Sequence, residues 1–265
     1  MLTDIMLGQY FPGNSPIHIL DPRTKILLTL AYISSIFLAI NYSAYIVLGL
    51  FLAAIILIAQ IPVKIVIRSI KPLWIILLLT AGIHLFMTPG TILFSLGPLS
   101  VTQEGLRQGI QMSARLILLI LISSLLTFTT SPIALTDAIE RLLSPLKLLK
   151  LPVHELAMMM TIALRFVPTL LEETDRIMKA QMARGADFSS GNIIKRGQNM
   201  VPLLVPLFIS AFRRADDLAT AMEARCYRGG EHRTRMKELK LGARDIIACL
   251  ITGMITAGLV WLRWF

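Results

Sequence analysis

The 265-residue sequence predicts an all-α polytopic membrane protein, with about five spanning helices and a three-helix cytoplasmic module. Three observations carry this. Hydrophobic residues make up 55% of the chain and charged ones only 16%, against roughly 25% charged in an ordinary soluble domain. Five long apolar runs punctuate the chain, and mean hydropathy is +0.71. The charges are concentrated: Pro132–Asp245 holds 18 of the 26 Lys/Arg and 13 of the 16 Asp/Glu.

Taken in order, Met1–Gly13 carries Asp4, no Lys or Arg and no long apolar core, so no cleavable signal is expected. The first apolar run is Ile26–Ile40, ended by Asn41, Tyr42 and Ser43. The second, Ala44–Ile61, stops at Pro62 and is followed by a basic strip, Lys64, Arg68 and Lys71. The third is Leu73–Met87, closed by Thr88, Pro89 and Gly90. A connector containing Gly97, Pro98 and Glu104 leads to the fourth, about Met112–Phe128. The fifth is Ile246–Leu262, with Trp261 and Trp264 suited to an interfacial belt. A span needs ~20 apolar residues, with ~17 as the lower limit, so flanking residues are expected to complete the shorter runs. The division expected is 1–131 for a four-helix bundle, 132–242 for a cytoplasmic helical block, and 243–265 for a last spanning helix.

Charge orients the bundle. Arg23 and Lys25 precede the first run, and the basic strip follows the second, whereas the connector after the third has Arg107 opposed by Glu104. Short loops rich in Lys/Arg stay inside, so a cytoplasmic N-terminus and a cytoplasmic block are expected. Arg263, left outside, opposes the rule. The net charge of +10 reads as basic flanks of spanning segments rather than a nucleic-acid footprint.

The block reads as three helices: Pro132–Lys147, Pro152 to about Arg184, and about Gln198–Tyr227. The last two start apolar and end charged. Arg165, Pro168, Pro202 and Pro206 interrupt their apolar halves, so they read as long amphipathic helices rather than plain spans. Both end on one pattern. Ala180-Gln-Met-Ala183-Arg184-Gly185 closes one and Ala221-Met-Glu-Ala224-Arg225-Cys226 closes the other. Arg at a helix C-terminus is favoured by the dipole, and Gly185 suits a left-handed cap. Spacing admits two readings: ordinary helix ends with solvated arginines, or two small-residue platforms that each present an Arg to an acidic groove on a partner. Glu172 with Arg176, Asp175 with Lys179, and Arg213–Arg214 with Asp216–Asp217 read as surface support. His84 is expected against a neighbouring helix, Arg115 to snorkel, and Met158, Met159 and Met160 to pack adaptably.

The exclusions matter. There is no G-x-x-x-x-G-K-[ST], so no P-loop ATP site, and no G-x-S-x-G or H-E-x-x-H. No acidic residue falls within the five apolar runs, which counts against a proton relay. His18, His84, His154 and His232 are scattered, so no metal site is expected. Cys226 and Cys249 lie in unlike surroundings, so no bridge is expected.

Five motifs, in order, resemble the transmembrane T component of energy-coupling factor transporters, the EcfT/CbiQ family. They are Gly8-Gln-Tyr-Phe-Pro12-Gly13 with Leu20-Asp21-Pro22-Arg23-Thr24-Lys25; Ala163-Leu-Arg-Phe-Val-Pro168; Arg184-Gly185-Ala186-Asp187-Phe188; Val201-Pro-Leu-Leu-Val-Pro206; and Ala221-Met-Glu-Ala224-Arg225. The resemblance implies a non-catalytic subunit of an ABC-type importer of vitamins or metal ions in the bacterial cell membrane. Two partner ATPase subunits would bind the ATP, this chain holding no cofactor, and a membrane S component would bind substrate. The family's x-Arg-x docking motifs match Ala183-Arg184-Gly185 and Ala224-Arg225-Cys226, with Cys226 departing from the usual Gly or small residue. The likeness is to the shared-module group, whose T component serves several S components. A dedicated cobalt/nickel or biotin transporter component is the alternative within the family. A membrane-embedded enzyme and a self-sufficient permease are the alternatives outside it.

Overall fold

A computed structural model of the chain describes residues 10–96, 99–145, 152–188, 192–229 and 241–264. The elements are α1 (Pro16–Ile19), α2 (Pro22–Leu38), α3 (Tyr42–Ala59), α4 (Val63–Ile70), a 3-10 turn (Lys71–Leu73), α5 (Trp74–Met87), β1 (Ile92–Leu96), β2 (Leu99–Thr102), α6 (Gln103–Thr129), α7 (Pro132–Leu142), α8 (Val153–Ala183), α9 (Ile193–Ala224) and α10 (Ala243–Trp264). They form two compact units. One comprises Gly8–Ala138 with Lys237–Phe265, and the other Ile139–Met236.

Among the described residues, five helices are long and apolar enough to cross a membrane: Tyr42–Ala59, Val63–Met87, Gln103–Thr129, Val153–Ala183 and Ala243–Trp261. The number equals that read from sequence, but the membership differs. The first apolar run becomes α2, which ends at Leu38 with Ala39 as its cap and falls one residue short of this set at 17 residues. The apolar half of α8 brings that helix into the set, although Pro168 lies inside it and Glu172, Glu173, Asp175, Arg176 and Lys179 make its second half polar. The basic strip is also a helix. α4 turns Val66 inward while Lys64 and Arg68 stay exposed, as does Lys71 in the turn that follows.

α6 is the axis of the larger unit, packing against α2, α3, α4 and α5, while α2 also packs on α10. Tyr32, Ile36, Leu48, Leu52, Leu118, Ile122, Leu125 and Phe128 form one continuous apolar core across these helices. The Tyr32 hydroxyl, buried in it, donates to the Leu48 carbonyl at 2.8 Å, as a buried donor requires. Outward-facing Leu27, Leu30, Phe37, Ile46, Leu50 and Leu57 remain exposed, as expected of a surface whose solvent is lipid.

The α5–α6 contact has a signature that the sequence reading passed over, Gly105-x-x-x-Gly109. A Cβ at Gly105 would lie 2.6 Å from the His84 carbonyl, and one at Gly109 would lie 3.4 Å from the Ala81 carbonyl. Small residues four apart let two helices close to backbone contact, and His84 sits at this seam. The connector before α6 is an antiparallel hairpin, β1 pairing with β2. Its Gly97 and Pro98 fall outside the described residues. Thr102 then caps α6 by accepting the Gly105 N–H at 3.0 Å. Arg115 has fixed partners at the adjoining ends of α2 and α3. Its Nη2 donates to the Tyr45 hydroxyl at 2.9 Å and its guanidinium lies over the Phe37 ring, 5.6 Å from the centroid.

The segment from Phe11 to Lys25 is fastened by polar groups. Ser15 caps α1, and its hydroxyl lies 2.7 Å from His18 Nδ1. His18 Nε2 is 3.0 Å from the Phe11 carbonyl, which can only accept, so the proton is on Nε2 and Ser15 donates to Nδ1. Burial lowers the His18 pKa; the Phe11 carbonyl opposes this and the Lys25 charge adds to it. Asp21 caps α2 through the Arg23 N–H at 2.9 Å and takes the Arg23 side chain bidentately. Asp245, at the start of α10, accepts the Asp21 N–H at 2.9 Å and the Gly242 N–H at 2.8 Å, one on each oxygen. Lys25 Nζ donates to the Thr129 carbonyl at 2.7 Å and the His18 carbonyl at 3.1 Å. The ends of α2, α6 and α10 are thereby tied at one place.

Two outcomes follow from these contacts. Asp245→Ala orphans two amide donors, one of them buried, at a cost of about 1–3 kcal/mol each. Asp245→Asn keeps one acceptor oxygen and is expected to lose about half as much. Thermal unfolding of the purified protein in detergent orders the three as wild type, Asn, Ala. Gly105→Ala places a methyl against a carbonyl and is expected to destabilise the fold by about 1–3 kcal/mol, whereas Gly49→Ala, which meets nothing within 4 Å in the interior of α3, is expected to raise the same melt slightly, by about 0.5–1 kcal/mol.

Candidate functional site: two capped helix ends

The smaller unit is built around α8 and α9, which pack on one another. Glu173 Oε2 meets Arg214 Nη2 at 3.1 Å, and further along α8 the Gln181 side chain meets Pro202. Contacts therefore advance along α8 as they retreat along α9, so the pair is antiparallel. The Gln181 contact has a local cause. Pro206 has no N–H, so the Pro202 carbonyl lacks its helical partner; Gln181 Nε2 donates to it at 3.4 Å. Asn199 Nδ2 binds the Asp187 carbonyl at 2.7 Å, fixing the turn that follows α8. α9 begins at Ile193 rather than Gln198, because Asn192, extended at ψ 161°, starts the helix before Gly197. α7 ends at Leu142 rather than Lys147, and Lys147 lies outside the described residues.

Both helices end in the same way. In α8 the Gly185 N–H binds the Met182 carbonyl at 3.0 Å and the Ala186 N–H reaches back to the Gln181 carbonyl at 3.0 Å. In α9 the Cys226 N–H binds the Glu223 carbonyl at 2.8 Å and the Tyr227 N–H binds the Met222 carbonyl at 3.1 Å. This pair of bonds is the Schellman motif, which needs a left-handed residue one place past the cap. Gly185 supplies it at φ +88° and Cys226 at φ +55°. The departure at Cys226 thus leaves the cap geometry intact, at a cost of about 1–2 kcal/mol for a side chain in the left-handed region.

Each motif makes an arginine, Arg184 or Arg225, the last residue before the chain turns away. Ala183, Arg184 and Gly185 are exposed, as are Ala224, Arg225 and Cys226. Among the described residues neither guanidinium has a hydrogen bond or ion pair. The flanking small residues add no bulk that would keep a partner's surface away. From Pro202, which touches the end of α8, α9 runs on to Arg225 for roughly 35 Å at 1.5 Å per residue. The two arginines therefore stand at opposite ends of the helix pair.

The supporting charges divide differently from the sequence reading. Asp175 and Lys179 pair at 2.6 Å as expected. Arg214 pairs across to Glu173 instead of with its acidic neighbours, because the antiparallel register brings the two opposite one another. Among the described residues no ion pair joins Glu172 to Arg176. A further feature is the exposed row Val201, Val205, Phe208 and Phe212 on α9, spaced to share one helix face. Met159 and Met160 are exposed on α8. Among the described residues no three His, Cys, Asp or Glu side chains converge to hold a metal.

These features define a multi-pass helical membrane protein whose smaller unit presents two capped arginines. The profile of the CbiQ family, described as cobalt transport protein, matches residues 13–236. The chain is 61% identical over 264 residues to the energy-coupling factor transporter transmembrane protein EcfT of Acidaminococcus fermentans, covering 100% of this chain and 98% of that one. It is 56% identical over 262 residues to the protein of that name from Thermosediminibacter oceani, covering 99% of each. To the Bacillus subtilis protein it is 49% identical over 264 residues, covering 99% of this chain and 100% of the relative. The chain belongs to this family, the EcfT transmembrane components of energy-coupling factor transporters.

The cap geometry yields a direct test. Cys226→Gly removes the left-handed penalty and is expected to stabilise the protein by up to about 1 kcal/mol, and Gly185→Ala to destabilise it by about 1 kcal/mol. Thermal unfolding of the two variants reads opposite signs.

Proposed function

We propose that this chain is the energy-coupling subunit of an ABC-type importer, transmitting motion from two ATPase subunits to a substrate-binding S component. The observation that carries the reading is the pair of identically capped arginines at opposite ends of the α8–α9 pair, one for each member of an ATPase pair. Arg suits the task because its planar fork binds a carboxylate bidentately, and exposed Ala and Gly neighbours permit close approach. Closure of the ATPase pair on ATP would move the two docked ends relative to one another. The exposed apolar row on α9 is a seat for the S component, which reorients as the helices shift. The chain itself is then a non-catalytic subunit that holds no cofactor, ATP residing on the partners. In this reading 1–131 and 243–265 are the membrane bundle, 132–242 is the cytoplasmic coupling segment, and the N-terminus is cytoplasmic. Shared use by several S components follows from the apolar, Met-bearing helix faces, which can repack against more than one partner. A dedicated cobalt/nickel or biotin importer is the second reading, favoured by the cobalt transport description of the matching family. Mass spectrometry of S components that co-purify under different nutrient limitations separates the two: one S component throughout means a dedicated system.

Arg184→Glu or Arg225→Glu is expected to cost about 2–5 kcal/mol of ATPase association, much of it from the partner's orphaned charge, and to reduce uptake strongly while membrane insertion persists. The double variant is expected to be worse than either. ATPase subunits retained after affinity purification, with vitamin uptake in parallel, decide it; full retention in both single variants overturns the docking assignment. Orientation has its own check. With Cys226 and Cys249 replaced, a cysteine at Lys64 is expected to be shielded from an impermeant thiol reagent in intact cells and one at Leu93 to react.

A further inference from the structure

We propose that the cavity enclosed by α1, α2, α3, α6 and α10 binds one acyl chain of an anionic phospholipid, whose phosphate is held at the rim by Arg244. The cavity has a volume of about 350 Å³, and its walls include Leu28, Tyr32, Phe51, Ile55, Ile122 and Ile251. Three of the polar side chains in these walls are already engaged elsewhere. The Tyr32 hydroxyl donates to the Leu48 carbonyl, the Thr129 hydroxyl to the Leu125 carbonyl at 2.8 Å, and Lys25 Nζ to two carbonyls. What faces the space is hydrocarbon, which retains no water and gains dispersion contacts only when an apolar group fills it. Ile247 and Ile251, which line it, are about half exposed, so the cavity opens on the side that meets lipid.

One end is charged. Arg23, Lys25 and Arg244 stand there with Asp21 and Asp245. Arg23 neutralises Asp21 through a bidentate pair, and both oxygens of Asp245 accept backbone N–H groups. Lys25 is buried and donates to carbonyls. Arg244 alone of the three cations is exposed, and no described residue accepts from its guanidinium. It lies in the first turn of α10, next to where the apolar run begins, which is the headgroup level of a bilayer. A guanidinium fork fits a phosphate bidentately, so the site asks for an apolar chain with an anionic phosphate at its end. The inference rests on the membrane-spanning bundle and not on the coupling reading above.

The test uses the full chain, purified in mild detergent, washed free of bulk lipid and titrated with phosphatidylglycerol, phosphatidylcholine or oleate. Native mass spectrometry counts the bound lipid. The wild type is expected to keep one phosphatidylglycerol and to prefer it to phosphatidylcholine. Arg244→Gln is expected to lower that preference about tenfold while a chain still occupies the cavity. Ala248→Trp, which fills the cavity, is expected to exclude both lipids. Arg68→Gln, a basic residue away from the cavity, is expected to leave the preference unchanged. Thermal unfolding confirms that each variant is folded; if Ala248→Trp does not fold, Ala248→Leu takes its place. Absence of a stoichiometric lipid, an unchanged preference in Arg244→Gln, an equal loss in Arg68→Gln, or displacement of phosphatidylglycerol by equimolar oleate overturns the assignment.

Discussion

The larger unit depends on one buried ammonium group. Lys25 ends its donors on the carbonyls of Thr129 and His18, and so joins the last turn of α6 to the approach to α2. A charge is tolerated at that depth only because its protons are accepted and Asp21 and Asp245 lie close enough to offset it. Asp245 in turn anchors the start of α10 to the start of α2 across more than two hundred residues of sequence. Remove this cluster and the helices keep their apolar faces, but the starts of α2 and α10 and the end of α6 lose the contacts that set their relative height.

Such vertical registration is what apolar packing in a bilayer cannot supply. Lipid tails are as apolar as leucine, so sliding one helix past another trades equivalent contacts. The structure fixes height at both ends of α6 by other means: the Lys25 cluster at one, and the backbone approach of Gly105 and Gly109 to α5 at the other. Tyr32, donating to the Leu48 carbonyl, adds a third fixed point between them.

Much of this was legible in the sequence, and the remainder was hidden for definite reasons. Runs of apolar residues announce spans because length and hydropathy are local properties, and the repeated Ala-x-x-Ala-Arg announced two helix ends that share their caps in detail. Gly185 signalled a left-handed residue; Cys226 did not, because only the return bonds from Cys226 and Tyr227 reveal its conformation. The pairing of Arg214 with Glu173 needed the antiparallel register, which no local pattern encodes. Gly105-x-x-x-Gly109 was readable but sits at the polar start of α6, outside the apolar run where such spacing draws notice. The hairpin before α6 was missed because five- and four-residue strands leave little periodicity to detect.

The missing amides of Pro202 and Pro206 leave α9 without two of its internal rungs near its start, and a side-chain amide spans only one of the gaps. Flexing a helix ordinarily stretches the bonds on its convex side. Where those bonds never existed, a small deflection costs little. Beyond Pro206 the ladder is uninterrupted to Ala224. α9 therefore has the mechanics of a stiff rod on a compliant foot: displacement applied at the Arg225 end travels the rod with little loss, and the angular adjustment is absorbed beside the end of α8.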